Sequence, residues 1–135
     1  LNKIMENIRV NYICKNQIKK GKRGTREMLA YLKKNFSVAL MIDQRVTEGI
    51  KCDFFGKPAF TTTIPAQIVK KFGCEIVPVY IERIENINFN LTFENPLKFE
   101  KNETVEEITL KLNKVLEKMI LNNPSQWILT HNRWK

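Results

Sequence analysis

Five consecutive apolar residues, Val38 to Ile42, end abruptly in Asp43 and Gln44. A run this unbroken does not alternate as a strand with one wet face would, so it predicts a strand covered on both faces. Just before it, Met28, Leu29 and Leu32 set the apolar stripe of a helix over Arg26 to Asn35, with Thr25 as its cap. A helix leading into a doubly buried strand is half of a parallel α/β unit. In open α/β sheets ligands are met beyond the carboxyl ends of the strands, and Asp43 stands at such an end.

The polar segment that follows, about 17 residues long, exceeds an ordinary connection, and such loops carry function or lack order. Phe54 and Phe55 beside Gly56 and Pro58 argue for order. Thr63 is placed to cap a helix over Ile64 to Phe72, with Pro65 tolerated in its first turn and Gly73 ending it. Cys74 to Glu82 is expected to be a strand in which Pro78 marks an edge or a bulge. Phe89, Leu91 and Phe93 alternate, predicting a second strand with one buried face, joined to the first by a polar turn and antiparallel to it. Thr104 and Glu107 form a capping-box signature for a helix over Val105 to Leu121. Ile108, Leu112, Val115 and Met119 give it an inner stripe, and Lys111, Lys114 and Lys118 an outer one. At the amino end, Ile4 and Ile8 predict a short helix over Asn2 to Arg9, followed by a brief strand, Val10 to Cys14. The repeated strand and helix units point to a single α/β domain with a mixed sheet flanked by helices.

The charge is uneven. The chain carries a formal net charge of +9, and its first 34 residues hold ten Lys or Arg against Glu6 and Glu27 alone. That field favours an anionic partner: nucleic acid, a lipid headgroup, a phosphorylated sugar or an acidic protein. No recognition helix, zinc motif or single-strand-binding motif supports nucleic acid. Three widely spaced cysteines, Cys14, Cys52 and Cys74, suggest neither a disulfide framework nor a zinc site. There is no phosphate-binding glycine pattern and no apolar window of about 18 residues to span a bilayer. No cofactor and no metal are expected.

Individual residues admit several roles. Asp43 is suited to orient a base, accept a substrate hydroxyl's hydrogen bond, bind a metal, or brace its own loop. Arg45, Lys51 and Lys57 are suited to phosphate or carboxylate, and equally to solvent. Cys52 has no activating neighbour in sequence and reads as a structural thiol. His131, the sole histidine, lies in a tail with Trp127, Arg133 and Trp134, where docking or ligand positioning is favoured over proton abstraction.

The stretches VALMIDQRVTEG, DFFGKPAFTTTIPAQI, EIVPVYIER and QWILTHNRWK together resemble the later half of the bacterial lipid A biosynthesis acyltransferases of the lauroyl/myristoyl type. The resemblance covers nearly the whole chain, and several ordered motifs at compatible spacing make it far more specific than any one of them. It implies a glycerolipid-acyltransferase-like α/β fold and an enzyme at the cytoplasmic face of the bacterial inner membrane. That enzyme transfers a fatty acyl group from an acyl carrier protein thioester to a hydroxyl of a phosphorylated lipid A precursor, with no cofactor.

Such enzymes use a histidine and an acid in an H-x-x-x-x-D/E motif. His131 is followed by Asn132, Arg133, Trp134 and Lys135, so it corresponds to the family's tail histidine and no catalytic residue is assigned in this chain. The resemblance thus implies that residues 1–135 are the C-terminal part of a single acyltransferase domain, inactive by itself, whose base and membrane anchor lie elsewhere. Asp43, Gln44, Arg45, Lys57 and Arg133 are implied as substrate-binding. Phe54, Phe55, Gly56, Pro58, Ala59, Trp127, His131 and Trp134 are implied as acyl-cleft or structural residues. The alternative expectation is a non-catalytic remnant of the same fold that binds anionic lipid or protein.

Overall fold

A computed structural model of the chain describes every residue except Leu1, Lys20, Leu129, Thr130, His131 and Lys135, and also excludes the side chain of Lys22. It has two compact units, Leu1–Ala39 and Leu40–Lys135.

In the first unit, helix α1 (Asn2–Ile8) runs on into a π-helical turn, Arg9–Ile13, closed by Cys14 N–H donating to the Arg9 carbonyl at 2.9 Å. The strand expected over Val10 to Cys14 is therefore helical through Ile13, and Cys14 alone is extended. A strand needs a neighbouring ladder, whereas the helix satisfies these backbone groups locally. Helix α2 (Lys22–Lys33) starts before Thr25, at Gly21, whose φ of 103° suits glycine. Met28 is buried on its inner side, with Leu29, Tyr31 and Leu32 half-buried.

The second unit opens with a hairpin of β1 (Ile50–Phe54) and β2 (Lys57–Thr61), lying where the sequence predicts a long loop. Phe54 pairs with Lys57, and the two turn residues have positive φ, 53° at Phe55 and 73° at Gly56. This is the type I′ geometry whose twist matches the strands, formed with Phe where Asn or Asp is usual. Gly49 enters β1 so close to β2 that an added Cβ would lie 2.3 Å from the Thr61 carbonyl oxygen.

Helix α3 (Ile64–Phe72) has the bounds expected of it and ends at Gly73 in the left-handed region. Its first turn is served by Thr62, whose Oγ1 accepts from Ile64 N–H at 3.3 Å, and not by the Thr63 hydroxyl, which accepts from Gln67 Nε2 at 3.0 Å. Strands β3 (Val79–Glu85) and β4 (Asn88–Phe93) form the expected antiparallel pair, with a register irregularity between Arg83 and Glu85. Pro78 lies just outside the ladder, its carbonyl accepting from Glu94 N–H at 2.9 Å.

Helix α4 (Val105–Asn122) carries the capping box in full: Thr104 Oγ1 accepts from Glu107 N–H, and the Glu107 carboxylate accepts from Thr104 N–H. Its amino-terminal half buries Ile108 and Leu112 against Ala66 and Val69 of α3. Its carboxyl-terminal half buries Ile120 against Phe54 and Ala59 of the hairpin. Lys111, Lys114 and Lys118 are exposed, as the periodicity requires.

The architecture is α/β, with small antiparallel sheets flanked by helices. Two further expectations are corrected. Val38 to Ile42 forms no ladder, because among the described residues no strand runs parallel to it. Apolar composition sets burial but cannot supply a hydrogen-bonding neighbour, and Ile42 still packs against the α3–α4 core. Phe89, Leu91 and Phe93 are exposed instead of buried, since among the described residues no second layer covers that face of the hairpin.

Two stability changes follow. Thr104→Ala should cost about 1 kcal/mol in urea unfolding. Hydrogen bonds from Thr104, its backbone N–H first, hold the Glu107 carboxyl below the ordinary range. The cap's contribution is present above the ordinary glutamate pKa and lost as pH falls through the lowered one, so the variant should lose less on acidification. Gly49→Ala, which drives a Cβ into backbone, should cost about 1–3 kcal/mol, read as a fall in Tm.

Candidate functional site

The second unit is organised around one buried cation. Arg133 is 1 % exposed, and its donors reach three segments that are distant in sequence. Nη1 donates to the Asp43 carbonyl at 3.2 Å, and Nη2 donates to Asn113 Oδ1 at 3.0 Å and to Thr61 Oγ1 at 3.4 Å. Its guanidinium carbon stacks 3.9 Å above the centre of the Phe54 ring. Burial pulls the Arg133 pKa down, and the nearby Asp43 opposes that.

The acceptors are themselves held. Asn113, fully buried on α4, donates through Nδ2 to the Asp53 carbonyl at 2.8 Å and to Thr61 Oγ1 at 3.2 Å. The Thr61 hydroxyl donates to the Ala59 carbonyl at 3.1 Å. Trp134 Nε1 donates to the Phe54 carbonyl at 3.0 Å. Among the described residues, Arg133 Nε is buried without a partner.

An aromatic layer surrounds this network. Phe54 meets Phe55 and Trp127 edge-on, with ring centres 4.8 and 5.9 Å away, and stacks on Trp134 at 5.8 Å. The strained turn at Phe55 is anchored by its N–H donating to Glu117 Oε1 at 2.6 Å. Lys114 bridges Asp53 at 2.5 Å and Glu117 at 3.1 Å, and these hydrogen bonds, Asp53 first, raise its pKa. Burial pushes the Cys52 thiol up, which opposes thiolate formation and fits a structural cysteine.

The structure brings most of the expected residues together. Phe54, Phe55, Ala59, Trp127 and Trp134 share one cluster, with Gly56 and Pro58 exposed on its hairpin. Asp43 is half-buried, and Gln44, Arg45 and Lys57 are exposed. Arg133 faces inward, so its donors serve Asp43, Thr61 and Asn113 and not the surface. His131 lies outside the described residues. Asn113 goes unremarked in the sequence, and Thr61 is expected there only to cap the next helix with Thr62 and Thr63, whereas its hydroxyl lies in the buried network. Their signal was a polar residue beside Leu112 on the inward arc of α4, and a threonine at the inward register of β2. Among the described residues no group of His, Cys, Asp and Glu is arranged to hold a metal.

The family model for the bacterial lipid A biosynthesis acyltransferases matches residues 1–135, and the chain belongs to that family. No curated protein matches it.

Arg133→Ala should destabilise the second unit by about 3 kcal/mol, because buried acceptors lose their donor together with the stacking on Phe54. Arg133→Lys should recover little, since a point charge replaces a planar fork. Urea unfolding followed by tryptophan emission checks both. An apolar Arg133→Met variant as stable as the parent would show that packing, and not the guanidinium, holds the tail.

Proposed function

We propose that this chain is the acceptor-holding, C-terminal part of an acyltransferase domain. The enzyme moves a fatty acyl group from an acyl carrier protein thioester to a hydroxyl of a phosphorylated lipid A precursor at the cytoplasmic face of the inner membrane. The reading is carried by the family match over the full chain, joined to a buried network that fixes the backbone at Asp43. In the reaction the acceptor oxygen bonds to the thioester carbonyl carbon and the carbon–sulfur bond breaks. The hydroxyl proton passes through a general base to the departing carrier thiol. A histidine and acid outside these residues would serve as that base pair, since the H-x-x-x-x-D/E motif does not occur among residues 1–135.

Within this scheme Asp43, Gln44, Arg45 and Lys57 hold the acceptor. Arg45 offers a fork of donors to phosphate and Lys57 a point charge, both in solvent-facing positions. Arg133 acts one step removed, as a positioning residue that pins the Asp43 carbonyl. Phe55, Trp127 and Trp134 supply an apolar wall suited to an acyl chain.

In the complete enzyme, Arg45→Ala and Lys57→Ala should each raise KM for the phosphorylated acceptor about tenfold with kcat little changed. An acceptor stripped of phosphate should not distinguish variant from parent. Unchanged KM in both variants would remove these residues from the site. Binding of phosphorylated lipid without any transfer would favour the non-catalytic alternative, a lipid-binding remnant of the fold.

A further inference from the structure

The tip of the β1–β2 hairpin is held more firmly than a turn of its kind requires. Phe55 stands at φ 53°, in the left-handed region where Asn, Asp or Gly is usual and a bulky aromatic is an outlier. An Asn-Gly pair would make the same turn without strain, so the reason for a phenyl ring here lies in what the ring meets.

Side chains from outside the hairpin take up successive polar groups of its tip. The Asp53 carbonyl accepts from Asn113 Nδ2 at 2.8 Å, and the Asp53 carboxylate accepts from Lys114 Nζ at 2.5 Å. The Phe54 carbonyl accepts from Trp134 Nε1 at 3.0 Å, and Phe55 N–H donates to Glu117 Oε1 at 2.6 Å. Asn113, Lys114 and Glu117 come from about one turn of α4. Lys114 also donates to both oxygens of Glu117 at 3.1 Å, which holds that carboxylate on the helix where it meets the turn. The Glu117 side chain is 14 % exposed, so its bond to Phe55 is charge-assisted and partly desolvated.

The ring fixed in this way is half-buried. Its centre lies 4.8 Å from that of Phe54 and 6.1 Å from that of Trp127, and part of it remains uncovered. A loose turn would let the ring yield to an apolar chain one methylene longer, whereas a latched turn makes it a fixed stop.

We infer that Phe55 is a specificity-determining residue that limits the length of the acyl chain lying on the wall of Phe55, Trp127 and Trp134, and that Glu117 is the positioning residue that holds it there through its backbone N–H. The inference rests on the proposed function for the acyl chain being the ligand, and goes beyond it in naming the side chain that measures the chain and the one that braces it.

The test uses the full chain and saturated fatty acids of graded length that carry bromine on the terminal carbon, which quenches tryptophan emission at short range. The protein's two tryptophans, Trp127 and Trp134, both belong to the wall. Each methylene that gains or loses cover changes affinity about fourfold, so the parent should show a clear optimum of length. Phe55→Asn, which keeps the turn, should move the optimum to longer chains, and a chain two carbons longer should gain about tenfold on the parent's best. Phe55→Leu, which keeps apolar cover on Phe54, should move it in the same direction by less. Glu117→Ala should flatten the optimum, and Glu117→Gln, whose amide oxygen still accepts from Phe55 N–H, should restore most of it. In a Phe55→Asn background Glu117→Ala should leave the length profile as it is, since lost stability alone would weaken all lengths alike. In the complete enzyme, kcat/KM for carrier-protein thioesters of the same lengths should shift in parallel.

A parent without a length optimum, or an optimum that Phe55→Asn and Phe55→Leu both leave in place, overturns the inference. So does Glu117→Gln behaving as Glu117→Ala, which would assign Glu117 to its pairing with Lys114 and not to the turn. A complete enzyme that transfers no acyl group would sink the proposed function, while the fatty-acid profile still decides the role of Phe55.

Discussion

A guanidinium taken out of water must be repaid in full by its surroundings, and the second unit is arranged to do so at Arg133. Desolvating a charge costs several kcal/mol, so the site is tolerable only where acceptors are already in place. Here they are a loop carbonyl at Asp43, a strand-end hydroxyl at Thr61 and a helix amide at Asn113, with the face of Phe54 beneath. Each comes from a different segment, so the arginine fixes the tail, the Asp43 loop, the hairpin and α4 relative to one another. Most of these bonds are between a charged donor and a neutral acceptor, which gives direction without the cost of a second buried charge.

Helix α4 makes that convergence possible because its two halves serve different cores. Ile108 and Leu112 close the α3 side, while Leu116 and Ile120 close the hairpin side, and Asn113 falls between them where a polar group can turn inward. The hairpin's turn carries a cost, since Phe55 occupies a left-handed conformation that suits Asn or Gly. Its ring packs on Phe54 and Trp127 and its N–H reaches Glu117, so packing and a charged acceptor offset the backbone penalty. A turn built this way is chosen for what its side chain covers.

How much of this was legible depends on whether the deciding interaction is local. The bounds of α3 and the amino end of α4 were readable because Pro65, Gly73 and the Thr104–Glu107 pair act within a few residues. The β3–β4 pairing was readable from alternation around a polar turn. The β1–β2 hairpin was not, because a Phe-Gly turn lacks the usual signature and only the finished core explains it. Val38 to Ile42 carries the composition of a central strand, yet strand formation is a property of two segments and the second is not among those described. The tail's docking could be expected from its two tryptophans. That its arginine faces inward could not, because Asn113 and Thr61 lie 20 and 72 residues away.

The two units also handle charge in opposite ways. The first keeps +8 of the chain's +9, leaving +1 for the second, where Lys114 pairs with Asp53 and Glu117, Lys111 with Glu103 and Lys98 with Glu75, and Arg133 meets neutral acceptors. Buried or short-range pairs are little affected by salt, whereas a field spread over exposed side chains is screened within about 10 Å at moderate ionic strength. Pinning a loop such as that at Asp43 needs the first kind of charge, because its geometry must persist. A long-range field needs the second, because it acts before any contact is made and fades when screened. The two kinds of charge are thus separated along the chain, so added salt should screen the field of the first unit and leave the hydrogen bonds at Arg133 in place.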